Sequence, residues 1–200
     1  MITPNRSSLL LVAVGGAAVA LTLAWQHWTR PAIVDAERQL QASQFLAVLP
    51  AQSYDNRPLD SALPQPAEQP VHSKILAAYR ATHGTLPTAI VLVSQVQGYA
   101  GPITLTIAID ADGRLIGTRV VDQQESPGLG GQIADPQSVW LAQFARHGLG
   151  DRWALRRDQG DFDQLVGATV TSRAVIDAQQ EALRYFDRHR SELLGALGHE

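Results

Sequence analysis

Apolar positions change their spacing along the chain, and each change marks a different element. From Leu9 to Trp25 they run on, interrupted only by Gly15, Gly16 and Thr22, and no charged side chain lies between Arg6 and Arg30. A membrane-spanning helix needs about 17–25 such residues, whereas the apolar core of a cleavable secretory signal is usually ~7–15. Trp25 and Trp28 flank the run in the manner of interfacial anchors. A persistent single transmembrane helix is therefore expected. Pro31 to Leu49 is rich in helix formers, with Pro31 tolerable in a first turn and Pro50 as the stop, so a stalk helix is expected. Pro58, Pro64, Pro66 and Pro70 make 58–70 a semi-rigid loop rather than a packed element. Ser73 to Thr82, ended by Gly84, reads as a short helix.

The spacing then shortens. Ile90 to Val96 is mostly apolar and β-branched, and Ile103, Leu105, Ile107 and Ile109 alternate with Thr104, Thr106 and Ala108. A period of two means strands with one buried face. Asp112-Gly113 is a hairpin turn into a strand over Arg114 to Asp122. Asp135-Pro136 offers a capping residue and a first-turn proline for a helix that turns Val139, Trp140 and Phe144 to the core and ends near Gly148. Trp153 to Arg156 is a short strand candidate. The last helix starts near Thr171 and reaches about Leu194, with Val175, Ile176, Ala182, Leu183 and Phe186 at helical spacing. The expected fold class is α+β, an antiparallel sheet with packed helices, preceded by one N-terminal transmembrane helix. Boundaries fall at 1–30 for tip and span, 31–70 for stalk helix and proline-rich loop, and 71–200 for the folded domain.

Composition narrows the chemistry. At 45% hydrophobic residues the chain can bury a core, and a net charge of −3 argues against nucleic acid as a partner. Cysteine is absent, which removes disulfides, thiol catalysis, thiolate metal sites and iron–sulfur clusters together. His27, His72, His83, His147, His189 and His199 show no ligand spacing, so no metal is expected. There is no Gly-x-Gly-x-x-Gly run, no Walker run and no Gly-x-Ser-x-Gly elbow. Redox chemistry, if present, belongs to an organic cofactor.

The richest local chemistry lies in Val166-Gly167-Ala168-Thr169, followed by Val170-Thr171-Ser172. The two smallest side chains precede a hydroxyl at a helix start, where free N–H groups attract a phosphate. A phosphorylated cofactor at the Thr169 hydroxyl satisfies that pattern. So does plain helix capping by Thr169, Thr171 or Ser172, and local physics alone favours the capping.

Three segments carry a resemblance. Asp163-Gln164-Leu165-Val166-Gly167-Ala168-Thr169-Val170-Thr171-Ser172 resembles the flavinylation motif of the FMN-binding domain family, matching at Asp163, Gly167, Ala168, Thr169 and Thr171 and departing at Val166, where the family usually has Ser or Thr. Glu125-Ser126-Pro127-Gly128-Leu129-Gly130 is similar to its Glu-Thr-Pro-Gly-Leu-Gly loop, and Gly98-Tyr99-Ala100-Gly101-Pro102-Ile103 to its Gly-Tyr-x-Gly-Pro-Ile strand entry. The three segments stand in the family's order, and the resemblance, which runs from the first hydrophobic segment to the last helix, is nearest to the G-type branch found in Rnf-type ion-translocating electron transport complexes, with the usually longer C-type branch of sodium-pumping quinone reductases as its relative. The resemblance implies an electron-carrying subunit with FMN joined to Thr169 by a phosphoester. Glu125, Ser126, Leu129 and Thr171 would lie near the cofactor, and Asp163, which composition alone makes a turn residue, would by the motif be a carboxylate read by the attaching enzyme. It further implies a separate flavin transferase using FAD, partner subunits of the complex, and a bacterial inner-membrane location with a cytoplasmic tip and a periplasmic domain. The rival readings are a membrane-anchored binding module of the same fold that carries no flavin, and a C-type subunit of a sodium-pumping quinone reductase.

Overall fold

A computed structural model describes residues 44–195 apart from 51, 61, 65–67 and 136–137, together with 15, 16, 18, 19, 21, 22 and 25. The chain divides into two compact units, Met1–Gln41 and Ala42–Glu200. In the first, the described positions are helical, and the Thr22 hydroxyl donates to the Ala18 carbonyl at 2.8 Å, which lets a polar side chain sit in an apolar helix. Most of Leu9–Trp25 and of the expected stalk lies outside the described residues. Among those described, no helix is long and apolar enough to cross a membrane.

The second unit is built on a four-stranded antiparallel meander: β1 (Ser73–His83), β2 (Leu86–Gln97), β3 (Pro102–Asp110) and β4 (Leu115–Asp122). The Asp112-Gly113 hairpin stands as expected, with the Asp110 carboxylate accepting the N–H groups of Asp112 and Arg114. The long helix α1 (Thr169–Arg188) is followed by a short α2 (Arg190–Leu194), broken at His189 rather than continuous to Leu194. Val175, Ile176, Ala182, Leu183 and Phe186 of α1 pack on Ile90, Leu92, Ile103, Leu105 and Ile107 of the sheet. Each large apolar side chain so buried contributes roughly 1.5–3 kcal/mol. Tertiary packing, rather than propensity, fixes α1 in place.

Several expectations are corrected. Ser73–His83 is a strand, not a helix. Register shifts between Ile75 and Ala77 and between Ala81 and Thr82 interrupt its period of two, so the buried Ile75, Ala78 and Ala81 recur every third residue and imitate a helix. The sheet also has two covered faces, because Val48 and Leu49, joined by Leu46 and Tyr54, pack over Ala81, Ala89, Val91 and Ala108. Part of the proline-rich stretch packs as well: Leu63 N–H donates to the Ala78 carbonyl at 2.8 Å and Ala62 bridges Tyr79, shielding the β1 edge. Asp135 ends a 3-10 turn (Gly130–Ala134) instead of starting a helix. The next helical piece is only the 3-10 turn Trp140–Phe144, too short to bring Val139 inward, and Val139 is 82% exposed. Trp153–Arg156 makes a single bridge, Leu155 to Phe162, because the chain reverses at once through the 3-10 turn Arg156–Asp158.

Candidate functional site

The three segments singled out in the sequence meet at one carboxylate. Glu125 is buried; its Oε1 accepts the Ala100 N–H at 2.9 Å and its Oε2 accepts the Thr171 hydroxyl. A buried carboxylate is tolerable when its oxygens are hydrogen-bonded, and here those bonds tie the 98–101 turn and the 125–130 loop to the first turn of α1. Close approach is possible because glycines face the carboxylate: a Cβ on Gly98 would lie 2.5 Å from Glu125 Oε1, and one on Gly130 2.7 Å from Thr171 Oγ1. Glu125 therefore acts from inside the junction, while Ser126 and Leu129 of the same loop face solvent.

Thr169 is presented by a tight turn. Ala168 N–H donates to the Leu165 carbonyl at 3.1 Å, and Gly167, third residue of that turn, has φ +77°. A turn of this kind needs glycine there, and a Cβ would also strike Leu129 Cδ2 at 2.9 Å. Ser172 closes the turn from within: its Oγ accepts the Leu165 N–H at 2.9 Å and donates to the Ala168 carbonyl at 2.8 Å. Thr169 is the first residue of α1, and Ala168 occupies the cap position with no side-chain cap bond. The three hydroxyls are thus divided. Those of Thr171 and Ser172 are buried and committed to Glu125 and to the turn. That of Thr169 is half-exposed, with a long 3.3 Å bond to Gln164 Oε1.

An apolar rim borders it. Leu129 is 49% exposed, Val170 51% and Val166 86%. Asp163 stands at the entry to the turn, its carboxylate exposed and paired with Arg156 Nε at 3.3 Å. Its main chain is gripped: Gln143 Oε1 accepts the Asp163 N–H at 2.8 Å, while Gln143 Nε2 and Trp140 Nε1 donate to its carbonyl at 3.3 and 2.8 Å. Nearby, the Arg173 guanidinium bonded to Asp158 and the Arg152 guanidinium bonded to Asp161 hold both carboxyls below the usual range. These are surface pairs and add little stability. Among the described residues no His, Cys, Asp or Glu group is arranged for a metal. Two clefts lie elsewhere, about 260 Å³ beside Gly113 and Phe186 and about 510 Å³ beside Pro87 and Leu194.

Of the sequence candidates, Glu125, Leu129, Thr169 and Thr171 come together at the start of α1, Asp163 stands at the entry to the turn, and Ser126 is exposed on the 125–130 loop. Sequence reasoning missed Gln143, Trp140 and the closing role of Ser172. Ser172 stood inside the motif, where only its tertiary partners reveal its task. Gln143 lies twenty residues before Asp163, and no local pattern links them.

Comparison with known proteins bears on this geometry. A family model described as FMN-binding domain matches residues 98–184, which contain all three segments. The G-type subunit of the ion-translocating oxidoreductase complex of Pseudomonas aeruginosa is 41% identical over 204 residues, covering 98% of this chain and 95% of that protein. The chain belongs to the G-type subunit family of ion-translocating oxidoreductase complexes. The Vibrio vulnificus member of that family is 32% identical over 195 residues, covering 95% of this chain and 92% of its own. Among solved structures, NqrC of Shewanella oneidensis aligns at a TM-score of 0.47 and 17% identity over 70% of this chain and 73% of that chain.

Proposed function

We propose that this chain is the electron-carrying flavoprotein subunit of a membrane-bound, ion-translocating electron transport complex, with FMN esterified to Thr169. The observation that carries the attachment site is the division of hydroxyls: of Thr169, Thr171 and Ser172, only Thr169 offers its oxygen at the surface. The residues fit such a group. An anionic phosphodiester is favoured at the first residue of a helix, where N–H groups lack intrahelical partners. The exposed apolar side chains of Leu129, Val166 and Val170 suit a flat, mostly apolar ring system. Attachment by a flavin transferase exchanges one phosphoryl bond for another. Thr169 Oγ bonds to the FMN phosphorus of FAD, the pyrophosphate P–O bond breaks, AMP leaves, and the hydroxyl proton passes to the transferase.

Bound FMN supplies the electron chemistry. The chain itself supplies position: Glu125 fixes the loop that bears Ser126 and Leu129 against α1, and Ser172 fixes the turn that presents Thr169. No side chain here is assigned as an acid or base. The run from Leu9 to Trp25 would anchor the chain in the bacterial inner membrane by a single span, with the domain on the periplasmic side beside the other subunits of the complex. Co-expression of the full chain with a flavin transferase tests the reading. After denaturing electrophoresis the band should fluoresce under ultraviolet light. A band without fluorescence would make the chain an anchored module that keeps the fold and lacks covalent flavin.

A further inference from the structure

Gln143 reads the main chain of Asp163 at two points. Its amide offers a donor and an acceptor side by side, matching the carbonyl and N–H of one residue as a neighbouring strand would. Trp140 adds a third bond to the same carbonyl. Both side chains come from the 3-10 turn Trp140–Phe144, which is seated firmly. Phe144 is fully buried and its ring lies 4.8 Å from that of Phe162, the residue before Asp163. On the far side Leu165 is buried too. Asp163 and Gln164 form an exposed crest between two buried anchors, leading directly into the turn that presents Thr169.

The exposure of this crest decides what the clamp is for. Water would satisfy the Asp163 N–H and carbonyl if Gln143 were absent, so the exchange contributes little net stability. Orientation is what it adds: the main chain of Asp163 is held where its carboxylate, 62% exposed, pairs with Arg156 Nε at 3.3 Å. We infer that Gln143 is a positioning residue that aims the Asp163 carboxylate for the enzyme that esterifies Thr169. The inference rests on the proposed flavin attachment and on the recognition of Asp163 by the attaching enzyme that the family resemblance implies. Gln143 touches neither Thr169 nor any reacting atom, and it acts through Asp163 alone.

The test is a double-mutant cycle on the full-length chain, read as the rate of flavin incorporation by a flavin transferase supplied with FAD. Gln143→Met keeps the length of the side chain and loses both bonds. It should lower the apparent kcat on the order of 10- to 100-fold, as misplacement of a recognition group does, with the KM for the acceptor chain and the melting temperature near wild type. Asp163→Ala should slow incorporation at least as much. The double variant should be no slower than Asp163→Ala alone, since residues that act as one unit are not additive. Gln143→Glu keeps an acceptor for the N–H, but sets a carboxylate oxygen against the carbonyl, and should not rescue. Wild-type rates for Gln143→Met, multiplied losses in the double variant, or a normal rate for Asp163→Ala beside a slow Gln143→Met would each overturn the inference. A wild-type chain that takes up no flavin would instead overturn the proposed function, and the wild-type arm alone reports it.

Discussion

At the scale of single residues, the site depends on the absence of side chains as much as on their presence. Gly130 faces Glu125 and Thr171 so closely that one methyl group cannot be added without moving the buried pair. Gly130→Ala should destabilise the domain by about 1–3 kcal/mol, the usual cost of overpacking, measured as a lower midpoint in chemical denaturation. An unchanged midpoint would mean that the Glu125–Thr171 contact gives way freely. The sequence alone makes Gly130 part of a glycine-rich loop and stops there. What the glycine is for appears only once Thr171, 41 positions along the chain, is folded against it. The same limit applies to Glu125, which sequence reasoning took for a polar neighbour of the cofactor. Its burial and both its partners come from segments brought together by the sheet.

At the scale of elements, legibility follows periodicity. β3 and α1 were readable because Ile103 to Ile109 keep a strict alternation and Val175 to Phe186 a helical spacing, β2 from its apolar β-branched run and β4 from the Asp112-Gly113 turn before it. β1 was not, because its register shifts space Ile75, Ala78 and Ala81 as a helix would. The start of β1 is held to α1 by charge: Glu181 accepts the N–H groups of His72 and Ser73 and the Ser73 hydroxyl. Asp177, one turn earlier on α1, is pushed above the usual carboxyl range, first by burial and further by the Glu181 charge, with His72 opposing. A carboxyl whose folded value is raised binds its proton more tightly in the folded state. Its contribution is fully present below the unfolded value near 3.8 and is lost as pH rises through the folded value. Asp177→Asn should therefore stabilise the domain above that range and flatten the alkaline side of its stability curve. Melting scans from acid to neutral pH measure this, and a variant that loses stability at neutral pH would show that the Asp177 charge is favourable in place.

At the scale of the whole molecule, the chain is covered almost end to end by its G-type relatives, and the proposed role needs both a surface domain and a hold on the membrane. The run from Leu9 to Trp25, with no charge between Arg6 and Arg30, should keep the full chain in the membrane fraction through carbonate extraction; a mature amino terminus beginning after residue 20 would show a cleaved signal instead. The central claim is the bond between FMN and Thr169, and intact mass spectrometry of chains co-expressed with a flavin transferase tests it most directly. Wild type and Thr171→Ala should each gain one FMN less one water, Thr169→Ser should gain it at least in part, and Thr169→Ala should gain nothing. Mass gain that persists in Thr169→Ala, or that disappears only in Thr171→Ala, would contradict it.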